Sequence, residues 1–385
     1  MYSDPITRLH SRKSNGLYRH RLTLEGPQGT HVSIAGRKYL SFCNNDYLAL
    51  ANHPELVEAV CEGAKKYGVG AGASHLIIGH HSSHHRLEEV LAHFTGFPRA
   101  LLFSSGYMAN AGVVTALVGH GDAVFSDKLN HASLNDAAAL SHAKWIRYPH
   151  LDLVILEQRL ALSQAKCKLV ITDAVFSMDG NIAPATKLLA LCEKYNSWLL
   201  LDDAHGFGVL GKQGRGVVSH FNLNSPRIIY MATLGKAAGV SGAFVAGQEE
   251  VIEILIQYAR SYIYTTAMPP LLSCAALKSL ALIKREGWRR KKLTQLTEHL
   301  KEELQLLRWK LLPSITPIQP VIIGENSKVM QISNALRERG ILIPAIRPPT
   351  VLKGSARLRI SLSAAHSIED IKQLILVLRE LEKIF

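Results

Sequence analysis

The sequence predicts an α/β protein with a large domain, built on a mainly parallel sheet wrapped by helices, and a smaller α+β domain. Short, continuously apolar runs alternate with helical patterns through the middle of the 385 residues, and such runs fit strands buried on both faces. From about residue 285 the texture changes to long amphipathic helices framing a few extended segments. The length suffices for one large and one smaller domain. The expected division is 1–50, an N-terminal segment joining the small domain, 51–284, the large domain, and 285–385, the small C-terminal domain.

GTHVSIAGRKYLSF (29–42) reads as a short hairpin. RALLF (99–103) reads as a strand leading into the helical SSGYMANAGVVTALV. KLVITDAVF (168–176) leads through a loop to ATKLLALCEKY, which has helical spacing. SWLLLDD (197–203), RIIYMAT (227–233) and GAFVAG (242–247) are further buried strands. Strands alternating with helices imply a mainly parallel sheet. In the C-terminal part, helices over WRRKKLTQLTEHLKEELQLLRWKL (288–311) and SKVMQISNALRERG (327–340) frame SITPIQPVIIG, GILIPAIRPPTV and ARLRISLSA.

Composition narrows the function classes. Hydrophobic residues make up 47% and charged residues 19%, values ordinary for a globular enzyme. Cys43, Cys61, Cys167, Cys192 and Cys274 are odd in number and never form a C-x-x-C pair. That argues against a disulfide framework or thiolate metal site and suits a reducing compartment, so a cytoplasmic location is expected. No apolar run reaches membrane-span length, and the first residues lack the apolar core of a secretory signal. They are basic and serine-containing, which a transit peptide would share, but Asp4 and Pro5 weaken that reading. The net charge of +13 raises a nucleic-acid reading. Only KREGWRRKK (284–292) is a dense patch, and no zinc-finger spacing or RNA-binding signature accompanies it. The expectation is a basic enzyme with ligands bearing phosphates and carboxylates, without nucleic-acid or membrane partners.

In an open α/β sheet, ligands sit beyond the carboxyl ends of the strands. After LLF come Ser104, Ser105, Gly106 and Tyr107, opening a helix whose N-terminus suits a phosphate, a weak signal alone. After WLLL come Asp202, Asp203 and His205; after VITDAVF come Ser177, Asp179 and Gly180; after YMA come Thr233 and Lys236. Lys236 is no P-loop lysine, because Ala237 follows it and Tyr230 stands where the first glycine belongs. A lysine at a strand end, an acid behind a buried strand and a phosphate cradle together suit pyridoxal 5'-phosphate. The lysine holds the aldehyde and the acid keeps the ring nitrogen protonated. Each residue also has a plainer reading when taken singly. Lys236 could be a solvated turn lysine, Asp202 a helix N-cap, and His131 a turn histidine. Ser177 and Thr233 could be strand-end hydroxyls, and Arg347 a surface arginine before two prolines.

NDYLAL (45–50), LNHAS (129–133), FSMDG (176–180), LDDAHGFGVLG (201–211), TLGKAAGVSGA (233–243) and IRPPTV (346–351) together, and in this order along the chain, resemble the α-oxoamine synthases. The resemblance runs from about residue 17 to the C-terminus. It implies a homodimeric, pyridoxal-phosphate-dependent acyltransferase of the aspartate-aminotransferase fold (fold type I). RPPTV with LRISLSAAH (358–366) most resembles members that condense L-alanine with pimeloyl-CoA, or pimeloyl carrier protein, in biotin biosynthesis. Other members, which use glycine and acetyl-CoA for example, share nearly every cofactor residue. The resemblance assigns Lys236, His131 and Asp202 to catalysis. Gly106, Tyr107, Ser177, Asp202, His205, Thr233, Lys236, Thr265 and Thr266 fall to the cofactor, the last two to the partner subunit's phosphate. Arg19, Asn45, His131, Arg347 and Thr350 fall to the substrate, with Arg21 competing with Arg19. Arg347 would grip a carboxylate through its fork-shaped guanidinium.

GHHSSHHRLEE (79–89) places His80 and His84, and His81 and His85, four apart. On a helix such pairs can bind zinc, but no third ligand is evident from sequence. A structural or substrate-channel role is expected, with no metal. Gly79, His84, Leu87 and Glu88 fit the family pattern here, whereas His80 and His81 depart from it. Leu352 departs too, standing where members often carry proline, so that loop lacks a fixed φ.

Overall fold

The computed structural model describes residues 4–385. Two compact units form. One comprises 4–47, Met178–Asn181 and Lys291–Phe385, the other Leu48–Ser177 and Ile182–Arg290.

The first strands, β1 (His31–Ile34) and β2 (Arg37–Ser41), pair antiparallel as the expected hairpin. Ala35 and Gly36 both have positive φ, 50° and 72°. That is the two-residue turn whose twist matches a right-handed strand pair.

The larger unit holds β3 (Arg99–Phe103), β4 (Ala123–Asp127), β5 (Lys144–Tyr148), β6 (Lys168–Asp173), β7 (Trp198–Asp202), β8 (Ile228–Thr233) and β9 (Ala243–Gly247). They form one sheet in the order β3-β9-β8-β7-β6-β4-β5. β4 to β8 run parallel, and β9 is antiparallel to both its neighbours. Leu199, Leu200, Leu201, Val170 and Ile229 are fully buried, as continuous apolar runs require when helices cover both faces. The sheet is therefore mainly parallel and wrapped by helices, as the sequence predicts. Helix Pro270–Arg285 lies against helix Pro54–Tyr67. Gly63 permits that approach, since a Cβ there would meet the Leu271 Cα at 3.0 Å.

In the smaller unit β10 (Lys310–Leu311), β11 (Ile318–Gly324), β12 (Ile341–Leu342), β13 (Ala345–Ile346) and β14 (Ala356–Ser361) complete the strands. β10-β11-β14-β13 is an antiparallel sheet, and β12 joins the hairpin as β1-β2-β12. Helix Ile368–Ile384 starts with a capping box: the Asp370 N–H donates to Ser367 Oγ at 3.1 Å, and the Ser367 N–H to Asp370 Oδ2 at 2.8 Å. Buried Arg357 pairs with Asp179, and the Gly180 carbonyl accepts from Ser314 Oγ at 3.0 Å and Thr316 Oγ1 at 2.9 Å. These contacts hold Met178–Asn181 within this unit.

The helix expected over 288–311 runs instead as Gly287–Leu304, and the chain then enters β10. Glu286 separates it from helix Pro270–Arg285, so the dense basic patch covers the end of one helix and the start of the next. Among the described residues no helix is long and apolar enough to cross a membrane.

Candidate active site

Residues from the ends of β4, β6, β7 and β8 meet in the larger unit. β7 ends at Asp202, which is 3% exposed. The next residue, Asp203, points the other way, because successive side chains of an extended chain alternate. Asp203 accepts from the Val217 N–H and the Tyr230 hydroxyl, both at 2.7 Å. Burial pushes its carboxyl up to about 7. Asp203 therefore ties β8 to helix Val217–His220, and Asp202 faces the chemistry.

Asp202 Oδ1 accepts from the Ala204 N–H at 3.0 Å, and Oδ2 from the Asn110 amide at 2.7 Å. Asn110, fully buried on helix Gly106–Leu117, gives its amide nitrogen a second acceptor, Ser133 Oγ, at 2.8 Å. Ser133 Oγ lies 2.7 Å from His131 Nδ1, which also accepts the Ser133 backbone N–H at 3.2 Å. The backbone N–H leaves Nδ1 only an acceptor's role, so the hydroxyl proton points at Nδ1 and the imidazole proton sits on Nε2. A directed chain thus runs from Asp202 through Asn110 and Ser133 to His131. Desolvation holds the His131 ring below its ordinary range, with Asp202 pulling it up and Lys236 pushing it down. At neutral pH it is a neutral imidazole.

Lys236 lies just past β8 in the turn before β9, half-buried, with Nζ 2.9 Å from His205 Nε2. The Thr233 hydroxyl shapes that turn, donating to the Gly242 carbonyl at 3.0 Å and accepting the Gly235 N–H at 3.1 Å.

Asp173 belongs to this cluster, and the sequence reading missed it. It stands in register with Asp202 on the neighbouring strand and accepts the His131 backbone N–H at 2.6 Å. Burial, and then the Asp202 charge, raise its carboxyl well above the ordinary range. Its signal was present: an acid at the end of the apolar run KLVIT has the same form as Asp202 after WLLL. Asn110 and Ser133 had no such signal, because both lie on helices among small residues.

The helix Gly106–Leu117 begins beyond β3, with Ser105 Oγ accepting the Met108 N–H at 3.2 Å. The first N–H groups of a helix have no intrahelical acceptor. Gly106 and Tyr107 therefore offer backbone donors and the positive dipole end. The Tyr107 hydroxyl donates to Asp136 at 2.5 Å, so its proton is committed away from a ligand. Ser177 follows Phe176 in the loop after β6, and Thr265 and Thr266 lie on the loop between helices Arg260–Ile263 and Pro270–Arg285.

The remaining candidates lie in the smaller unit. Arg347 donates to the Gly16 carbonyl, and its acidity is shifted by burial and then by the charge of Arg19. Arg19, rather than Arg21, is thus the arginine whose charge Arg347 feels. Asn45 Oδ1 accepts from the Tyr47 hydroxyl and from Arg359, both at 3.2 Å, so that oxygen braces its own unit. Thr350 is exposed and directly follows the cis Pro348–Pro349 bond.

The sequence model of the class I and II aminotransferases matches residues 37–378. The 8-amino-7-oxononanoate synthase of Nitrosospira multiformis is 68% identical over 375 residues, 97% of this chain and 95% of its own. The chain belongs to the 8-amino-7-oxononanoate synthase family of class I and II aminotransferases. Among solved structures, the 8-amino-7-oxononanoate synthase from Francisella tularensis is 33% identical with a TM-score of 0.79, covering 90% of this chain and 98% of that one. A variant of the serine palmitoyltransferase from S. paucimobilis, solved with PLP bound, superimposes with a TM-score of 0.91 at 26% identity, covering 99% and 98%. The family's fold is thus the α/β fold found here.

Proposed function

We propose that this chain condenses L-alanine with a pimeloyl thioester, giving 8-amino-7-oxononanoate, CO2 and the free thiol, a step of biotin biosynthesis. The observation that carries the reading is near-full-length identity of 68% to a synthase of that name, joined to a site with the right donors. Those donors fit pyridoxal 5'-phosphate. Lys236 offers an amine, buried Asp202 has carboxylate capacity beyond its two accepted bonds, and the first turn of helix Gly106–Leu117 offers N–H groups for a phosphate. When bound, the cofactor supplies an electron sink for negative charge at the amino acid's α-carbon.

The chain's own residues do the rest. Asp202 would keep the ring nitrogen protonated. Lys236 would hold the cofactor, and its amine, when free, would carry the α-proton, with His205 2.9 Å from Nζ to steady it. His131 carries its ring proton on Nε2, a donor suited to a substrate oxygen. Ser177 and Thr233 are assigned to the cofactor, and Thr265 and Thr266 to its phosphate in a partner subunit of a homodimer. Arg347 is assigned to the alanine carboxylate, with Arg19, Asn45 and Thr350 as further substrate contacts. The acyl group arrives on CoA or on a carrier protein. A cytoplasmic site of action is part of the same reading.

The experiment is free-thiol release by the cofactor-loaded protein with two substrate pairs. Release with L-alanine and pimeloyl-CoA, and none with glycine and acetyl-CoA, is expected. Release with the second pair alone would replace this reading by a glycine-using acyltransferase.

The Asn110 chain gives a second expectation. Asn110→Ala removes a charge-assisted bond to Asp202 and the bond orienting Ser133, each worth about 1–3 kcal/mol. Turnover should fall roughly 10–100-fold, with the pH profile displaced because His131 and Asp202 are uncoupled. An unchanged pH profile with only a lower melting temperature would make the chain structural.

A further inference from the structure

Histidines crowd the start of helix Ser82–Thr95, outside the cluster around Lys236. The helix begins at Ser82, so neither four-residue histidine pair forms a ligand pair on one helical face. His84 is fully buried and both its nitrogens are taken: Nδ1 accepts the His81 N–H at 3.0 Å, and Nε2 donates to the Met268 carbonyl at 2.8 Å. It is a structural histidine.

His80, His85 and Glu88 are placed differently. One ligand atom from each lies within 4.8 Å of the others, against about 3.4 Å for tetrahedral ligands at ~2.1 Å from a metal. A side-chain rotation closes that gap. All three line an open cavity of about 420 Å³, together with His75, Arg99 and Tyr262. Glu88 Oε1 accepts the Leu102 N–H at 2.9 Å, while Oε2 lies 3.9 Å from His80 Nε2. His80 Nδ1 is 2.9 Å from Nδ1 of His75, a buried ring stacked on Tyr262 with centroids 5.0 Å apart. Histidine ligands ordinarily use one nitrogen for the metal and fix the other through such a partner. Arg99, the cation in the cavity, is committed to Glu253 at 3.0 Å.

We propose that His80 Nε2, His85 and Glu88 Oε2 bind a divalent transition metal of the zinc class, with His75 orienting His80 and a fourth position open to the cavity. Of the two other candidate sets among the described residues, His75, His80 and His84 would need His84, whose nitrogens are both taken, and His53, Glu55 and Glu286 carries its own cation: Arg285 pairs with Glu55 at 2.5 Å and with Glu286 at 2.9 Å.

The test uses the full-length, pyridoxal-phosphate-loaded protein, stripped by chelator and titrated with Co²⁺ and then Zn²⁺. The readouts are cobalt absorption and calorimetry. One equivalent per chain with a tetrahedral cobalt spectrum is expected. His85→Ala, at an exposed position, and Glu88→Gln should each weaken binding at least ~10-fold. His75→Phe keeps the ring on Tyr262 but removes the acceptor, and should weaken it by about 10–100-fold. Absence of stoichiometric binding, or unchanged affinity in His85→Ala, would overturn the site.

Discussion

Lys236→Ala purifies folded, carries no borohydride-reducible bond to pyridoxal phosphate, and loses thiol release by at least about 10³-fold, within the 10²–10⁴ that a positioned proton carrier contributes. The fold survives because Lys236 lies in a turn built by other groups. The Thr233 hydroxyl bridges the Gly235 N–H and the Gly242 carbonyl, and the Leu234 N–H bonds the Gly242 carbonyl at 2.9 Å. None of these bonds uses the lysine side chain. His205 loses its 2.9 Å contact but remains beside Asp202 in the chain. Melting temperature, absorbance after borohydride treatment and thiol release measured together settle the point. Full turnover in the variant would remove Lys236 from the reaction.

Much of the fold was legible because burial on both faces leaves a direct mark on sequence. KLVIT, WLLL and RIIYMA carry no polar interruption, and their strands have water on neither side. β9 was legible as a strand but not in its direction, since an antiparallel strand covered on both faces reads the same as a parallel one. The short strands β12 and β13 were hidden inside GILIPAIRPPTV, where two-residue pairings leave no periodicity. At the site, residues that end apolar runs or sit in glycine-rich turns were visible: Asp202, His205 and Lys236. Those that orient them were not. Asn110 and Ser133 act through bonds made across 23 and 92 positions of sequence, and nothing local marks a long-range partner. The histidine stretch shows the same limit. Spacing suggested His80 with His84 and His81 with His85, but the helix starts two residues after His80, and His84 turns inward to the Met268 carbonyl. The grouping of His80, His85 and Glu88 depends on where that helix begins.

Asp202→Asn separates charge from shape at the other end of the site. The asparagine keeps the volume and an oxygen for the Ala204 N–H, so the strand end holds, but its NH2 then faces the Asn110 amide nitrogen, and a bond across 2.7 Å re-forms only when the Asn110 amide turns its unpartnered oxygen to accept. What is lost is a buried negative charge. A protonated ring nitrogen is then no longer favoured, and the α-proton of alanine is no longer acidified. Exchange of that proton with deuterated water, followed by NMR, should fall at least about 100-fold, the lower range for loss of a positioned acid–base partner. Alanine binding should change far less, because the proposal gives the alanine carboxylate to Arg347 and not to Asp202. The same substitution relieves Asp173, whose carboxyl is raised first by burial and then by the Asp202 charge. Its raised range should move down by the part that charge contributes, while burial keeps it above an ordinary aspartate. His131, which Asp202 pulls up against desolvation, should move down as well. Two opposed groups thus report one missing charge: His131 stays neutral to lower pH, and Asp173 ionises at lower pH than before. A variant that lost exchange and alanine binding in equal measure, with neither titration displaced, would show that Asp202 only supports the strand end.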